Sequence, residues 1–374
     1  MNPAIQKTLA LLLLIVIGLL LKAKLSNRDQ LGGVKILILS VALPAMIFVA
    51  LLKIQVETSL LFLPVLALGF NLLMLLAGKL LLPLFGVDPD SPDFRTYWLL
   101  MPSLAPGLSC FPFVIEYLGD ASLAHAALAD VGNKIYGLIL AYLIAMHLYY
   151  KMMSRQDTEH RVSTGERVRG LLFSLLKEPI NMVIVVGLIM LGLGWNLASL
   201  PGFLQDSILR MSAMMTPMVL IFIGMAVRFN RQQFGQIFNM LVCRSGLAFC
   251  LSALLISVAP ISSPASILLA VAFPQSAASF WPFAHMSAVS SLEGEKPQTF
   301  RLELALNVLA LSLPMSTVII MTVCSVGTVF TEPLLLWAIG GAMLGATLLP
   351  ALLRRFRSKE EEAAIPVPQM AEEG

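Results

Sequence analysis

Two stretches hold most of the side chains in this chain that could do chemistry inside a membrane. The first, Met101 to Tyr136, reads MPSLAPGLSCFPFVIEYLGDASLAHAALADVGNKIY and sets Ser109, Glu116, Asp130, Asn133 and Lys134 among Pro102, Pro106 and Pro112. The second, Phe273 to Pro282, reads FPQSAASFWP and holds Gln275, Ser276 and Ser279. Both lie in sequence apolar enough for lipid. An internal proline removes backbone hydrogen bonds that lipid cannot replace, so such breaks survive only where they line a protein-walled cavity. Each run is therefore expected to unwind, ending one half-helix and beginning another near Pro112 and near Pro282. The second half-helices would offer free N–H groups and the positive ends of their dipoles to one central region, which suits an anion. Ser109, Gln275, Ser276 and Ser279 add neutral hydrogen-bonding groups, and Phe111, Phe280 and Trp281 would wall the apolar part of an organic anion. With Asn133 and the two prolines these make the candidate substrate site. The plainer reading is that the prolines only kink packed helices.

Asp130 and Lys134 are four residues apart, so they share a helix face, and Asn133 flanks it. An ionisable group at membrane depth costs about 2.5 to 3.5 kcal/mol unless it faces a bundle interior or a partner. Two readings stand for the pair. It is a structural ion pair, or it is a coupling site where Asp130 takes up a proton or holds a sodium ion while Lys134 favours its charged form. Glu116 and Asp120 bracket Gly119, where solvation is the default. Glu303 reads as interfacial beside Arg301, and His285 as a packed side chain. Cys110, Cys243, Cys250 and Cys324 show no CxxC spacing, and His125, His147, His160 and His285 form no HxxxH or HxxE cluster. No metal site, cofactor or disulfide is expected. The sequence has no GxSxG, HExxH or Walker motif, so neither an intramembrane hydrolase nor direct ATP drive is the leading expectation.

The elements that must position these residues are long apolar helices. Of 374 residues, 58% are hydrophobic and 13% charged, and the mean hydropathy is +0.85. That composition is an all-α polytopic membrane protein, since a β-barrel would alternate over short segments. The net charge of +3 is small, with its basic residues in joints, so no nucleic-acid partner is expected. Eleven spans are expected, at about 4–21, 34–52, 59–84, 97–118, 121–150, 178–195, 207–227, 237–258, 264–288, 301–322 and 333–353. Lys22, Lys24, Arg28 and Lys35 crowd the joint after the first span, five basic residues from Lys151 to Arg169 the joint after the fifth, and Arg354, Arg355, Arg357 and Lys359 the tail. Positive joints stay cytoplasmic, which puts the N-terminus outside and the C-terminus inside, in a bacterial inner membrane. The acidic joint 85–97, with only Arg95, sits uneasily with this orientation.

The polar segment 151–177 divides the chain into a first half, 1–150, and a second, 178–322. Pro217 follows Pro44 by 173 residues, Pro282 follows Pro112 by 170, and Asn307 follows Asn133 by 174. Three matches in one order at nearly one offset predict two homologous five-helix repeats. Because five is odd, they enter the membrane from opposite sides, an inverted repeat. The additional span, within 323–353, carries Gly340, Gly341 and Gly345 and would pack on a helix of this chain or of a second copy, giving a homodimer. Residues 354–374 are charged, then rich in Ala, Pro and Glu, and are expected to be disordered.

Over roughly residues 34–320 the sequence resembles the auxin efflux carrier family, which includes plant PIN-type carriers and bacterial organic-acid permeases. The resemblance lies in Pro112, Gly119 and Asp130-Val131-Gly132-Asn133, in Pro274-Gln275 with Pro282-Phe283, and in Leu313-Pro314. It implies a ten-helix core of inverted repeats, broken fourth and ninth helices crossing at the substrate site, and elevator-like motion. The chain departs from the family at Ala105, where the family has an asparagine, and in the longer interval from Pro274 to Pro282. The expected function is secondary transport of a small organic anion, a carboxylate, by alternating access. A channel, or a sensor that binds without carrying, is the alternative.

Overall fold

A computed structural model describes residues 3–22, 24, 28–53, 62–153, 179–226, 234–259, 261–293 and 299–363. Among them there is no strand, and eight helices are long and apolar enough to cross a membrane, joined by two shorter apolar ones at Thr8–Leu21 and Pro179–Gly192. The chain is an all-α, multi-pass membrane protein. Helical structure occupies every one of the eleven expected spans. Most of the segment 151–177 and the basic residues Arg228, Arg231 and Lys296 lie outside the described residues.

Helix α1 is Pro3–Leu21; α2 (Arg28–Leu37) runs through a π-helical turn, Ile38–Ala42, into α3 (Leu43–Leu51). After α4 (Leu63–Leu81) the chain turns at Gly86, whose φ of 76° is open to glycine at no steric cost. Ser91 then caps α5 (Pro92–Leu100), its Oγ accepting from Phe94 N at 3.1 Å, with proline in the first turn where its missing N–H costs nothing. One turn, α6 (Pro106–Ser109), precedes α7 (Phe111–Lys134), which passes through a π-helical turn into α8 (Ala141–Met153). Within α7, Gly119 (φ 83°, ψ −177°) bends the chain between Phe111–Leu118 and the residues after it, at the boundary expected between the fourth and fifth spans. The second half comprises α9 (Pro179–Gly192), α10 (Gly202–Ala213), α11 (Met215–Ala226), α12 (Phe234–Val258), α13 (Pro264–Ala272), α14 (Phe280–Glu293), α15 (Leu302–Val326) and α16 (Pro333–Ala363). Helix α16 runs on to Ala363, through the first ten residues of the segment expected to be disordered; the rest of that segment is not described.

Two packing groups emerge. Helix α1 lies along α11, and α3 lies against α9 and α10; α4, α5, α7 and α8 pack with α12 to α15, and the groups touch where α3, α9 and α11 meet α7 and where α1 and α11 meet α15. Small residues set the closest approaches. A Cβ on Gly132 of α7 would fall on the carbonyl of Pro64 in α4, and Gly18 and Gly224 bring α1 onto α11 in the same way. The close face of α16 is turned inward: a Cβ on Gly340 would sit 2.6 Å from Cys250 Sγ and 2.7 Å from the carbonyl of Gly246 in α12. Of the two partners expected for that stripe, a helix of the same chain takes Gly340, while Gly341 and Gly345 face open space.

Candidate functional site

The fourth and ninth predicted spans are both broken where their prolines fall. The first break follows α5: Met101 and Pro102 turn, Ser103 to Ala105 are non-helical, and Cys110 interrupts again before α7 begins with Pro112 in its first turn. The second follows α13, with a 3-10 turn at Phe273–Gln275 and non-helical Ser276 to Ser279 before α14. The two unwound segments meet. Ala105 N donates to Ala277 O at 2.7 Å, Ala277 N to Ser109 Oγ at 3.0 Å, and Ser279 N to Ser103 Oγ at 3.1 Å.

A buried backbone without helical partners must find others, and here side chains supply them. Arg244 of α12, 5% exposed, donates from Nε to Met101 O at 2.9 Å and from Nη2 to Ser103 O at 3.0 Å. Asn71 of α4 donates to Pro102 O at 2.6 Å. The Asn133 amide grips Leu104 at both ends, donating to its carbonyl at 2.9 Å and accepting from its N–H at 3.1 Å. In the second break Ala278 N reaches Ser312 Oγ at 3.2 Å, and Ser316 Oγ donates to Gln275 O at 2.6 Å.

Beside the crossing lies a cavity of about 430 Å³. Its polar lining is Asp130, Asn133 and Lys134 of α7, Ser279 of the second break and Lys35 of α2; Phe280 and Trp281 of α14 form an aromatic wall. Lys134 Nζ stands 3.3 Å from Asp130 Oδ2 and donates to Asn181 Oδ1 at 3.4 Å, while Asn133 Nδ2 also donates to Asp130 Oδ1 at 2.8 Å. Lys35 Nζ lies 4.5 Å over the Phe280 ring, a cation–π contact. Two lysines therefore face one carboxylate, leaving an excess of one positive charge among the lining residues.

Of the nine residues singled out from the sequence, Asp130, Asn133, Lys134 and Ser279 line this cavity. Ser109 is fully buried in the crossing, donating to Ala105 O at 2.9 Å and accepting from Ala277 N. Ser276 is turned onto Phe273 O at 2.6 Å, and Gln275 Nε2 donates to Ser245 O at 3.1 Å while its Oε1 has no partner among the described residues. Pro112 and Pro282 are buried in the first turns of α7 and α14, away from the cavity wall. At the starts of the second half-helices, where free N–H groups were expected, Phe113 N and Val114 N donate to Cys110 O and Trp281 N to Ser279 Oγ; in the unwound segment before α14 the N–H groups of Ala277, Ala278 and Ser279 are paired with serine hydroxyls. His285 packs, with Nε2 at 2.9 Å from Gly137 O and its ring edge-on to Tyr142. Arg301 bonds Asp93 at 3.0 Å, the carboxylate it meets in place of the neighbouring Glu303.

Lys35, Asn71, Asn181, Arg244, Ser103, Ser312 and Ser316 were not among the sequence candidates. For two of them a signal existed: Asn71 and Arg244 are strongly polar residues deep in apolar spans, and they stand 173 residues apart, at the offset of the expected repeat. Lys35 was legible only as a topogenic charge. Among the described residues no group of three His, Cys, Asp or Glu side chains gathers to hold a metal. Compared with known proteins, the sequence matches no family model and no curated protein.

Proposed function

We propose that this protein is a secondary transporter of a small organic anion, a carboxylate, working by alternating access around the crossed breaks. The observation that carries the reading is the cavity beside the crossing, lined by Lys35, Lys134 and the single carboxylate of Asp130 together with the aromatic rings of Phe280 and Trp281. A carboxylate would complete the charge balance, and its apolar body would lie on Phe280 and Trp281. In this reading Asp130 fixes Lys134 in place through their ion pair, and uptake of a proton or sodium ion there would change the charge balance of the whole cavity.

The architecture proposed with it is two inverted five-helix repeats, as in the auxin efflux carrier family. Support comes from residues one repeat apart that meet or act alike: Ala105 and Ala277 are hydrogen-bonded across the crossing, and Asn71 and Arg244 both donate to carbonyls of the first break. The packing of α1, α3 and α9 to α11 as one group, which meets the helices carrying the crossing mainly along α7 and α15, fits a scaffold against which the other group slides. The N-terminus is then outside and the C-terminus inside, in a bacterial inner membrane.

The test is uptake of radiolabelled malate, malonate, succinate, pyruvate and indole acetate into proteoliposomes, with and without a pH or sodium gradient. Saturable uptake of one of these, lost in Lys134→Gln, is the expected result. Binding without uptake would make the chain a sensor, and uptake that never saturates would make it a channel.

A further inference from the structure

A second cleft, of about 640 Å³, opens at the end of the bundle where α4 and α8 finish and α5 begins. Lys79 in the last turn of α4, Lys151 and His147 of α8 and Arg95 of α5 line it, against one carboxylate, Asp90. Arg95 is fixed there, its Nε donating to Thr299 O at 2.8 Å and its Nη1 to Asp90 O at 2.7 Å. Lys79 and Lys151 are exposed. Lysines at helix C-termini offset the helix dipoles, but that role calls for neither a cleft nor a third cation. The other wall is apolar, and Trp98 is held in it by donating from Nε1 to Leu75 O at 2.8 Å, an indole placed as at a membrane–water boundary.

The surface running away from this cleft supplies the second half of the argument. Leu72, Leu76 and Leu80 are exposed along one face of α4, and Lys79 stands at the end of that face, three residues after Leu76. A basic cleft that continues into an apolar helix face matches an amphipathic anion with a compact head and long chains. We infer that the cleft binds the phosphate head group of an anionic phospholipid, with the acyl chains along the leucine face of α4. The site is separate from the cavity at the crossing and does not depend on what that cavity carries.

The test uses the full chain, purified in non-ionic detergent and stripped of lipid. Its melting temperature is followed while short-chain phosphatidylglycerol, phosphatidylcholine or inorganic phosphate is added. Phosphatidylglycerol is expected to raise the melting temperature saturably where the other two do not. Lys79→Gln with Lys151→Gln, both exposed positions, should lower the lipid-free melting temperature only slightly, by the lost helix-end charges, and weaken phosphatidylglycerol binding about thirtyfold. An equal rise with phosphatidylcholine would overturn the inference by removing the role of charge. An equal rise with inorganic phosphate would overturn the lipid, and unchanged binding in the double variant would overturn the cleft.

Discussion

At the first break the carbonyls of Met101 to Leu104 have lost their helical donors, and a guanidinium and two amides replace them. At the second break the N–H groups of Ala277 to Ser279 need acceptors, and three serine hydroxyls serve. The difference is one of strength. Hydrogen bonds from a charged donor are about twice as strong as neutral ones, and a forked guanidinium fixes geometry as well. The first break is thus built as an anchor, held by α4, α7 and α12 together. The second is held by weaker, rotatable groups, and it gives the cavity its polar and aromatic wall through Ser279, Phe280 and Trp281. A binding surface that must change partners is better made from the softer of the two.

The comparison is broken most directly at Arg244. Arg244→Met keeps the bulk of the side chain but leaves two buried carbonyls unpaired, at about 1 to 3 kcal/mol each. Unfolding in detergent should show the largest loss of the series, about 3 kcal/mol or more. Arg244→Lys, with one compact ammonium in place of the fork, should recover only part of it. A variant as stable as the parent would mean that the guanidinium anchors nothing. Next comes Asn133→Leu, which removes both bonds to Leu104 and those to Asp130 and Asn71; a loss of about 2 kcal/mol is expected by the same measurement.

These two residues also mark how far the sequence could be read. The helical spans were legible because apolar runs of membrane length allow little else, and the breaks were legible because proline cannot continue a helix. Asp130 and Lys134 were legible as a pair because a separation of four fixes a common face. What spacing does not report is which neighbour a face meets. Spacing offers Asn133 as a ligand group, and the fold also makes it the clamp on Leu104; Ser109, offered in the same way, is buried in the crossing and bonds both of its segments. Arg244 lies 143 residues from Met101, and only the fold, which sets α12 against the unwound segment after α5, brings them together. The glycines of α16 show the same limit: their spacing announces a close approach, and only the fold makes Gly246 the partner of Gly340.

The softer break should respond less. Ser312→Ala removes the acceptor for Ala278 N, and Ser316→Ala the donor to Gln275 O. Each should cost about 1 kcal/mol, the usual worth of a neutral hydrogen bond. Because each bonds a different peptide group, the double variant should lose close to the sum of the two. A shortfall would mean that the two hydroxyls are coupled through the segment between them.

Ser279→Ala sharpens the comparison at its weak end. The hydroxyl accepts from Trp281 N at 3.3 Å, a long bond at the start of α14, and it faces the cavity. Its loss should cost the least stability of the series, about 0.5 kcal/mol, the low end for a helix-capping serine. Its effect belongs on transport. If an organic anion is held between Lys134 and this wall, losing a hydroxyl donor to a charged ligand should raise KM roughly tenfold, with kcat little changed. A loss of stability as large as that of Asn133→Leu would make the second break an anchor like the first, and the contrast between them would disappear. Small loss with unchanged KM would instead leave recognition to the lysines and the aromatic rings, with the serines of the second break serving the backbone alone.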